Sequence, residues 1–177
     1  MKKSDLKFIP KFYDKYINCV PDEMQLITGL RSTKNYFYTQ KDHFITHQNT
    51  CLSKNNWTPK DILQHIIDNE RIQSYRALAF SRNDVNHLSG FNQELYAKFA
   101  KANHRNIQDL LKEFIAQRNS TINLFKSFTN NMLNKEGLCS GIKVNVAALG
   151  FLIIGHTLRY SNILNELYFN AQSKSSS

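Results

Sequence analysis

The sequence predicts an all-α fold, a four-helix bundle with long crossover connections, on three observations. Only 6 Gly and 3 Pro interrupt the 177 residues, too few breakers for a many-turned sheet sandwich. Hydrophobic residues make up 41% of the chain and aromatics 12%, which gives one domain of this size ample apolar area to bury. Apolar residues recur at helical spacing in four stretches, and the segment between the second and third is too long for an ordinary bundle turn. The expected organisation is an N-terminal extension over 1–20 packing on the bundle, the bundle over 21–170, and a disordered tail over 171–177.

Residues 1–20 offer Phe8, Ile9, Phe12, Tyr13, Tyr16 and Ile17 for packing, while Pro10 limits any continuous helix. A first helix is predicted from Pro21, with Asp22 and Glu23 at its positive end and Met24, Ile27 and Leu30 turned inward. Its course is open from Tyr36 to Thr50, where aromatic and β-branched residues compete with helical spacing. The second start is sharper: Thr58 caps, Pro59 takes the first helical position, Asp61 follows three residues after the cap, and Trp57 is placed to pack over Ile62. That helix should run to about Arg82 on a stripe of Ile62, Ile66, Ile72, Ala77 and Phe80.

Residues 83–104 read as a crossover broken by Ser89-Gly90, with one short helix around Glu94 to Ala100. The third helix is predicted from Ile107 to about Leu133, its apolar face interrupted by Arg118 and Asn119. NKEGLCSGIKVNV, with two glycines, reads as a loop or a tight two-strand excursion. Asn145 then caps the last helix, which turns Leu149, Leu152, Ile153, His156, Tyr160, Ile163 and Leu167 to one face.

The formal net charge of +9 attracts polyanions, yet no run of five like charges occurs, and no helix-turn-helix, zinc finger or concentrated basic stripe is present. A nucleic-acid partner is therefore not expected. Cys19, Cys51 and Cys139 are odd in number and widely spaced, which suits unpaired thiols in a reducing compartment. The basic start lacks the apolar region of a signal peptide, and the longest apolar run, Val146 to Ile154, is far short of the roughly 20 residues that span a bilayer. The expectation is a cytoplasmic protein without a membrane partner.

The blocks WTPKDILQHIIDNERIQSYRALAFSRND, GFNQELY, LLKEFIAQRNSTINLFKSF and NVAALGFLIIGHTLRYSNILNELY together resemble the DinB-like, YfiT-like superfamily of bacterial four-helix bundles. The resemblance covers about residues 57–168 and implies a bundle with long crossovers that, in many members, holds a divalent metal on three imidazoles. It also implies thiol-dependent chemistry in some relatives. His65 matches the ligand of the second helix, and His156 matches the first ligand of a last-helix motif that often reads GH, two residues, then HH. Here that motif reads GHTLRY, so Arg159 takes the penultimate histidine position and Tyr160 takes the place of the third ligand.

A residue four after His156 shares its helix face, so Tyr160 keeps the direction of the ligand and changes its chemistry. A phenol ionises near pH 10 whereas imidazole offers a lone pair at neutral pH. No tightly bound metal is expected, with His65 and His156 as weak candidates; the cofactor expectation is none, with Zn or Ni as the alternative. The expected cleft comprises His65, Asp68, Glu70, Arg71, Arg76, His156 and Tyr160. Asp68 could orient an imidazole and Arg76 bind an anion, while an internal salt-bridge network is the structural alternative for these charges. His43 and His47 form a second i,i+4 pair, read as structural or solvent-facing unless their segment turns inward. No catalytic residue is assigned.

These readings favour a non-catalytic binding or assembly role in a retained polar cleft, with a small-molecule ligand and a second copy of the chain as candidate partners. The alternatives are a divalent-metal-dependent thiol transferase or related hydrolase-like enzyme, and a basic nucleic-acid-associated protein.

Overall fold

The structure, a computed structural model, describes residues 1–52, 57–84 and 86–169. The N-terminal segment forms one turn, α1 (Asp14–Ile17), followed by α2 (Leu26–Ser32). The helix predicted from Pro21 thus begins only at Leu26, because the chain start captures the backbone before it. Lys3 N donates to Met24 O at 3.1 Å and Leu26 N donates to Met1 O at 3.0 Å, alongside a Lys2–Gln25 bridge. Thr33 ends α2 by turning its hydroxyl back onto Gly29 O at 2.8 Å, as β-branched polar residues do at a helix end. A 3₁₀ turn over Tyr38–Gln40 then leads into α3 (Lys41–His47), so the first bundle member is two short helices.

α4 (Pro59–Ser81) follows its sequence signals closely. Thr58 Oγ1 accepts from Asp61 N, and Asp61 Oδ2 accepts from Thr58 N at 3.0 Å, closing a capping box ahead of Pro59. Trp57 lies against the His65 ring, with centroids 5.0 Å apart. The crossover carries α5 (Gln93–Ala100), none of whose residues is buried. α6 (Ile107–Lys126) starts at the Asn106 cap and is shorter than predicted, because Thr129 caps a separate turn, α7 (Asn130–Leu133).

NKEGLCSGIKVNV forms an antiparallel hairpin, β1 (Glu136–Cys139) and β2 (Ile142–Asn145), in the register Glu136 opposite Asn145. Ser140 and Gly141, both at positive φ (54° and 75°), make the two-residue turn whose twist suits a hairpin. The crossover is pinned to this hairpin: Leu88 N donates to Leu138 O at 3.0 Å and Ser140 N to Leu88 O at 2.9 Å. Asn145 Oδ1 accepts from Ala148 N at 2.7 Å to cap α8 (Val146–Leu164), in which every residue from Val146 to Thr157 is buried. A π-helical turn over Asn165–Phe169 follows, and the predicted disordered tail lies outside the described residues.

The core has two apolar halves separated by a polar waist. One half gathers Ile17, Leu30, Phe80, Phe125, Phe151 and Ile154; the other gathers Phe37, Phe44, Ile66, Phe114, Leu164 and Tyr168. Between them α4, α6 and α8 contribute buried Asn69, Glu70, Gln73, Arg118, Thr121, His156 and Thr157. Burying a polar group without a partner is costly, and the charged centre of the waist is fully paired. Arg118 grips Glu70 with both ends of its guanidinium, Nε to Oε1 at 2.7 Å and Nη2 to Oε2 at 2.9 Å, with side chains 0% and 1% exposed. Its remaining donors reach Thr157 Oγ1 at 2.8 Å, Leu30 O at 3.3 Å and the Thr33 hydroxyl. Among the described residues no helix is long and apolar enough to cross a membrane.

Candidate functional site

One edge of the waist opens into a cleft of about 700 Å³ between α4, α8, the N-terminal segment and the crossover. Helical geometry builds its longest wall: His65, Asn69, Gln73 and Arg76 follow at steps of four, four and three residues, the spacing that keeps side chains on one face. α8 adds His156, Arg159 and Tyr160, and the N-terminal segment closes the mouth with Phe12, Tyr13, Lys15 and Tyr16. Gly155 permits that closure. A Cβ there would lie 2.0 Å from the Tyr16 carbonyl oxygen, so only glycine lets this backbone rest on α8 and set the Tyr16 ring 5.0 Å from His156.

At one end of the cleft three rings converge. His65 and His156 stand 5.0 Å apart between centroids, His65 and Tyr160 5.1 Å, and His156 and Tyr160 4.7 Å. Burial holds the His65 imidazole down at about 4. His156 is held well below its ordinary value by burial first, then by His65 and by the positive charges of Lys15, Arg118 and Arg159. Both rings are therefore neutral near pH 7, each with one N–H and one lone pair. His65 Nε2 and His156 Nδ1 are buried without a hydrogen-bond partner. Burial, with Tyr16 beside it, pushes the Tyr160 phenol well above its usual range, so it stays protonated.

At the other end lies Arg76, 2% exposed. Its Nη1 donates to Gln73 Oε1 at 3.2 Å and to the Tyr13 hydroxyl at 3.4 Å, and its Nη2 to Ser89 O at 2.7 Å and Ser140 Oγ at 3.5 Å. The hairpin-to-crossover pairing is what brings Ser89 and Ser140 to this place.

The structure places four of the seven expected cleft residues, His65, Arg76, His156 and Tyr160, on the cleft wall. The other three lie elsewhere. Glu70 turns away on α4 into the ion pair with Arg118, the internal network that was the structural alternative. Asp68 and Arg71 face α6: Asp68 accepts from Gln64 at 2.9 Å and Arg71 at 3.4 Å, and Arg71 bridges to Glu113 at 2.7 Å. Asp68 therefore does not orient His65. The carboxyl of Asp68 is raised by its burial, while Arg105 and Arg71 hold that of Glu113 below its usual range against the opposing effect of its own burial. His43 and His47 pack against Phe169, with ring centroids at 5.2 and 6.2 Å, and do not line the cleft.

Asn69, Gln73, Lys15 and Tyr16 are wall residues that the sequence reading did not select. The first two could have been found by continuing the i,i+4 row from His65, but nothing local assigns the N-terminal aromatics to this wall.

A three-imidazole metal centre needs a third nitrogen where this chain has a protonated phenol. Among the described residues no group of three or more His, Cys, Asp or Glu side chains is placed to share an ion. The unpartnered nitrogens of His65 and His156 make them the only two ring donors of that set, and the cations around His156 oppose a further positive charge. The donor set does not fit that centre.

A model of the DinB superfamily matches residues 2–159, nearly the whole chain. The chain belongs to the DinB superfamily. No curated protein matches it. A solved structure with the same fold is that of YfiT from Bacillus subtilis, described as "a probable metal-dependent hydrolase with an unusual four-helix bundle topology". The two align with a TM-score of 0.64 at 12% sequence identity, over 91% of this chain and 90% of that one. This DinB-superfamily protein therefore shares the four-helix bundle of YfiT.

Proposed function

We propose that this DinB-superfamily protein is a non-catalytic binding protein that takes a small molecule in the cleft between α4 and α8, over a degenerate metal site. The observation that carries the reading is the ring cluster. Two neutral imidazoles on the cleft wall each carry a buried nitrogen without a hydrogen-bond partner, and the third ligand position holds a group that stays protonated. Buried polar atoms without partners are costly, by about 1–3 kcal/mol each, and a ligand bearing a donor and an acceptor removes that cost. The neutral rings and phenol supply hydrogen bonds and stacking surface for such a ligand. The amide row of Asn69 and Gln73 adds further polar contacts along the wall.

The reading is tested by titrating the protein with a fragment library while following the His65 and His156 imidazole signals by NMR, assigned with His65→Gln and His156→Gln variants. Compounds that bind should move both signals. Binders that leave both unchanged would place ligand recognition elsewhere and remove the proposal. The competing reading, metal-dependent hydrolysis of the kind ascribed to YfiT, draws on the same imidazole pair. It requires that a divalent ion bind at these two rings.

A further inference from the structure

Two guanidiniums are buried in the waist, and they differ in one respect. Arg118 is matched by the Glu70 carboxylate. Arg76, 2% exposed, makes no ion pair among the described residues, and its four hydrogen-bond partners are all neutral. Hydrogen bonds satisfy the donors of a guanidinium but leave its charge uncompensated, and an uncompensated buried charge carries a large desolvation penalty. Among the described residues no carboxylate lines the cleft that Arg76 borders, whereas Lys15 and Arg159 add two more cations to its wall. Glu94 on the crossover helix acts electrostatically at Tyr160, toward the opposite end.

We propose that the ligand of this cleft is a small organic anion whose carboxylate or phosphate group pairs with Arg76. The proposal rests on the cleft being the binding site, as argued above, and adds the chemical class of the occupant. The geometry sets its shape as well. Arg76 and His65 are eleven residues apart on one helix, about 16 Å along its axis at 1.5 Å per residue. A ligand anchored at Arg76 therefore extends past Gln73 and Asn69 to bring a polar group to the imidazole pair. Phe12, Tyr13 and Phe91 offer apolar wall to its body. Arginine suits this role because its planar fork meets both oxygens of a carboxylate or phosphate.

The test compares three probes of similar size on the unmodified protein: 4-phenylbutyrate, phenyl phosphate and the neutral 4-phenylbutanol. Affinities come from calorimetry, and site occupancy comes from the side-chain signals along the wall, Tyr13 and Gln73 beside Arg76 and the His65 and His156 imidazoles at the far end. At least one anion should bind about tenfold or more tightly than the alcohol, the scale of a hydrogen bond to a charged group. That preference should vanish in Arg76→Gln and partly return in Arg76→Lys, and which anion wins separates carboxylate from phosphate recognition. If Arg76→Gln does not fold, the wild-type comparison of anion with alcohol decides alone. Equal affinity for anions and alcohol, with the wall signals moving, overturns the anion inference and leaves the cleft reading standing. If no probe moves those signals, both are overturned.

Discussion

Replacing Glu70 by Gln tests whether the polar waist is held by its central ion pair. The substitution keeps the side chain's shape and removes its charge, leaving Arg118 with no carboxylate at a position 0% exposed. Removing one partner of a buried pair costs about 3–5 kcal/mol, most of it the penalty of the charge left behind. Against a total stability of about 5–15 kcal/mol for a domain, that is a large fraction. For a chain of this length each kcal/mol moves the melting temperature by about 2–4 °C, so the expected drop is about 6–20 °C. Urea denaturation followed by far-UV circular dichroism gives the free energy directly. A double variant, Glu70→Leu with Arg118→Met, should recover most of the loss, because two apolar side chains of similar volume need no counter-charge. A loss below about 1 kcal/mol in Glu70→Gln, the worth of an exposed pair, would refute the claim that this pair is desolvated.

Acid should destabilise the fold through His65. Unfolded, its imidazole takes up a proton near pH 6.5, and folded only near pH 4, so the unfolded state binds more protons between these values and stability falls as pH falls through this window. The loss approaches about 3 kcal/mol, at roughly 1.4 kcal/mol per pH unit. Urea curves at several pH values check it, and a His65→Gln variant should lose part of the dependence; identical pH profiles would contradict it. Gly155→Ala should cost about 1–3 kcal/mol and move the His156 imidazole signal, since its Cβ would meet the Tyr16 carbonyl at 2.0 Å and the N-terminal segment must lift. Alanine's better helix propensity works in the opposite direction, by about 1 kcal/mol. A variant about 1 kcal/mol more stable than the wild type, with the His156 signal unmoved, would show that the close approach costs nothing.

Much of this fold is legible in the sequence because its signals are local. Thr58, Pro59 and Asp61 define the start of α4 within four residues, and Asn145 does the same for α8. The start of α2 was misread because what delays it is not local: the backbone of residues 1–3 pairs with residues 24–26 and displaces the helix that Pro21 and Asp22 would otherwise begin. The site divides in the same way. His65, His156 and Tyr160 follow from the family resemblance together with helix phase, and Arg76 from its return to the same side of the helix as His65. Glu70 and Arg71 leave the cleft because their partners, Arg118 and Glu113, sit on another helix, more than forty residues away. Arg118 is visible in the sequence as a charge interrupting an apolar face, but no local signal pairs it with Glu70.

The central claim is that Tyr160, by standing where a third imidazole would complete the set, turns a metal site into a hydrogen-bonding floor. Metal analysis of protein purified without a histidine tag, followed by zinc and nickel titration of the wild type and of Tyr160→His, tests this most directly. The wild type should retain no stoichiometric metal after dialysis, and Tyr160→His should bind at least about tenfold more tightly, because the new imidazole shares a helix face with His156 and can join His65. Stoichiometric metal held by the wild type through dialysis, and lost when His65 and His156 are both replaced, would contradict the account.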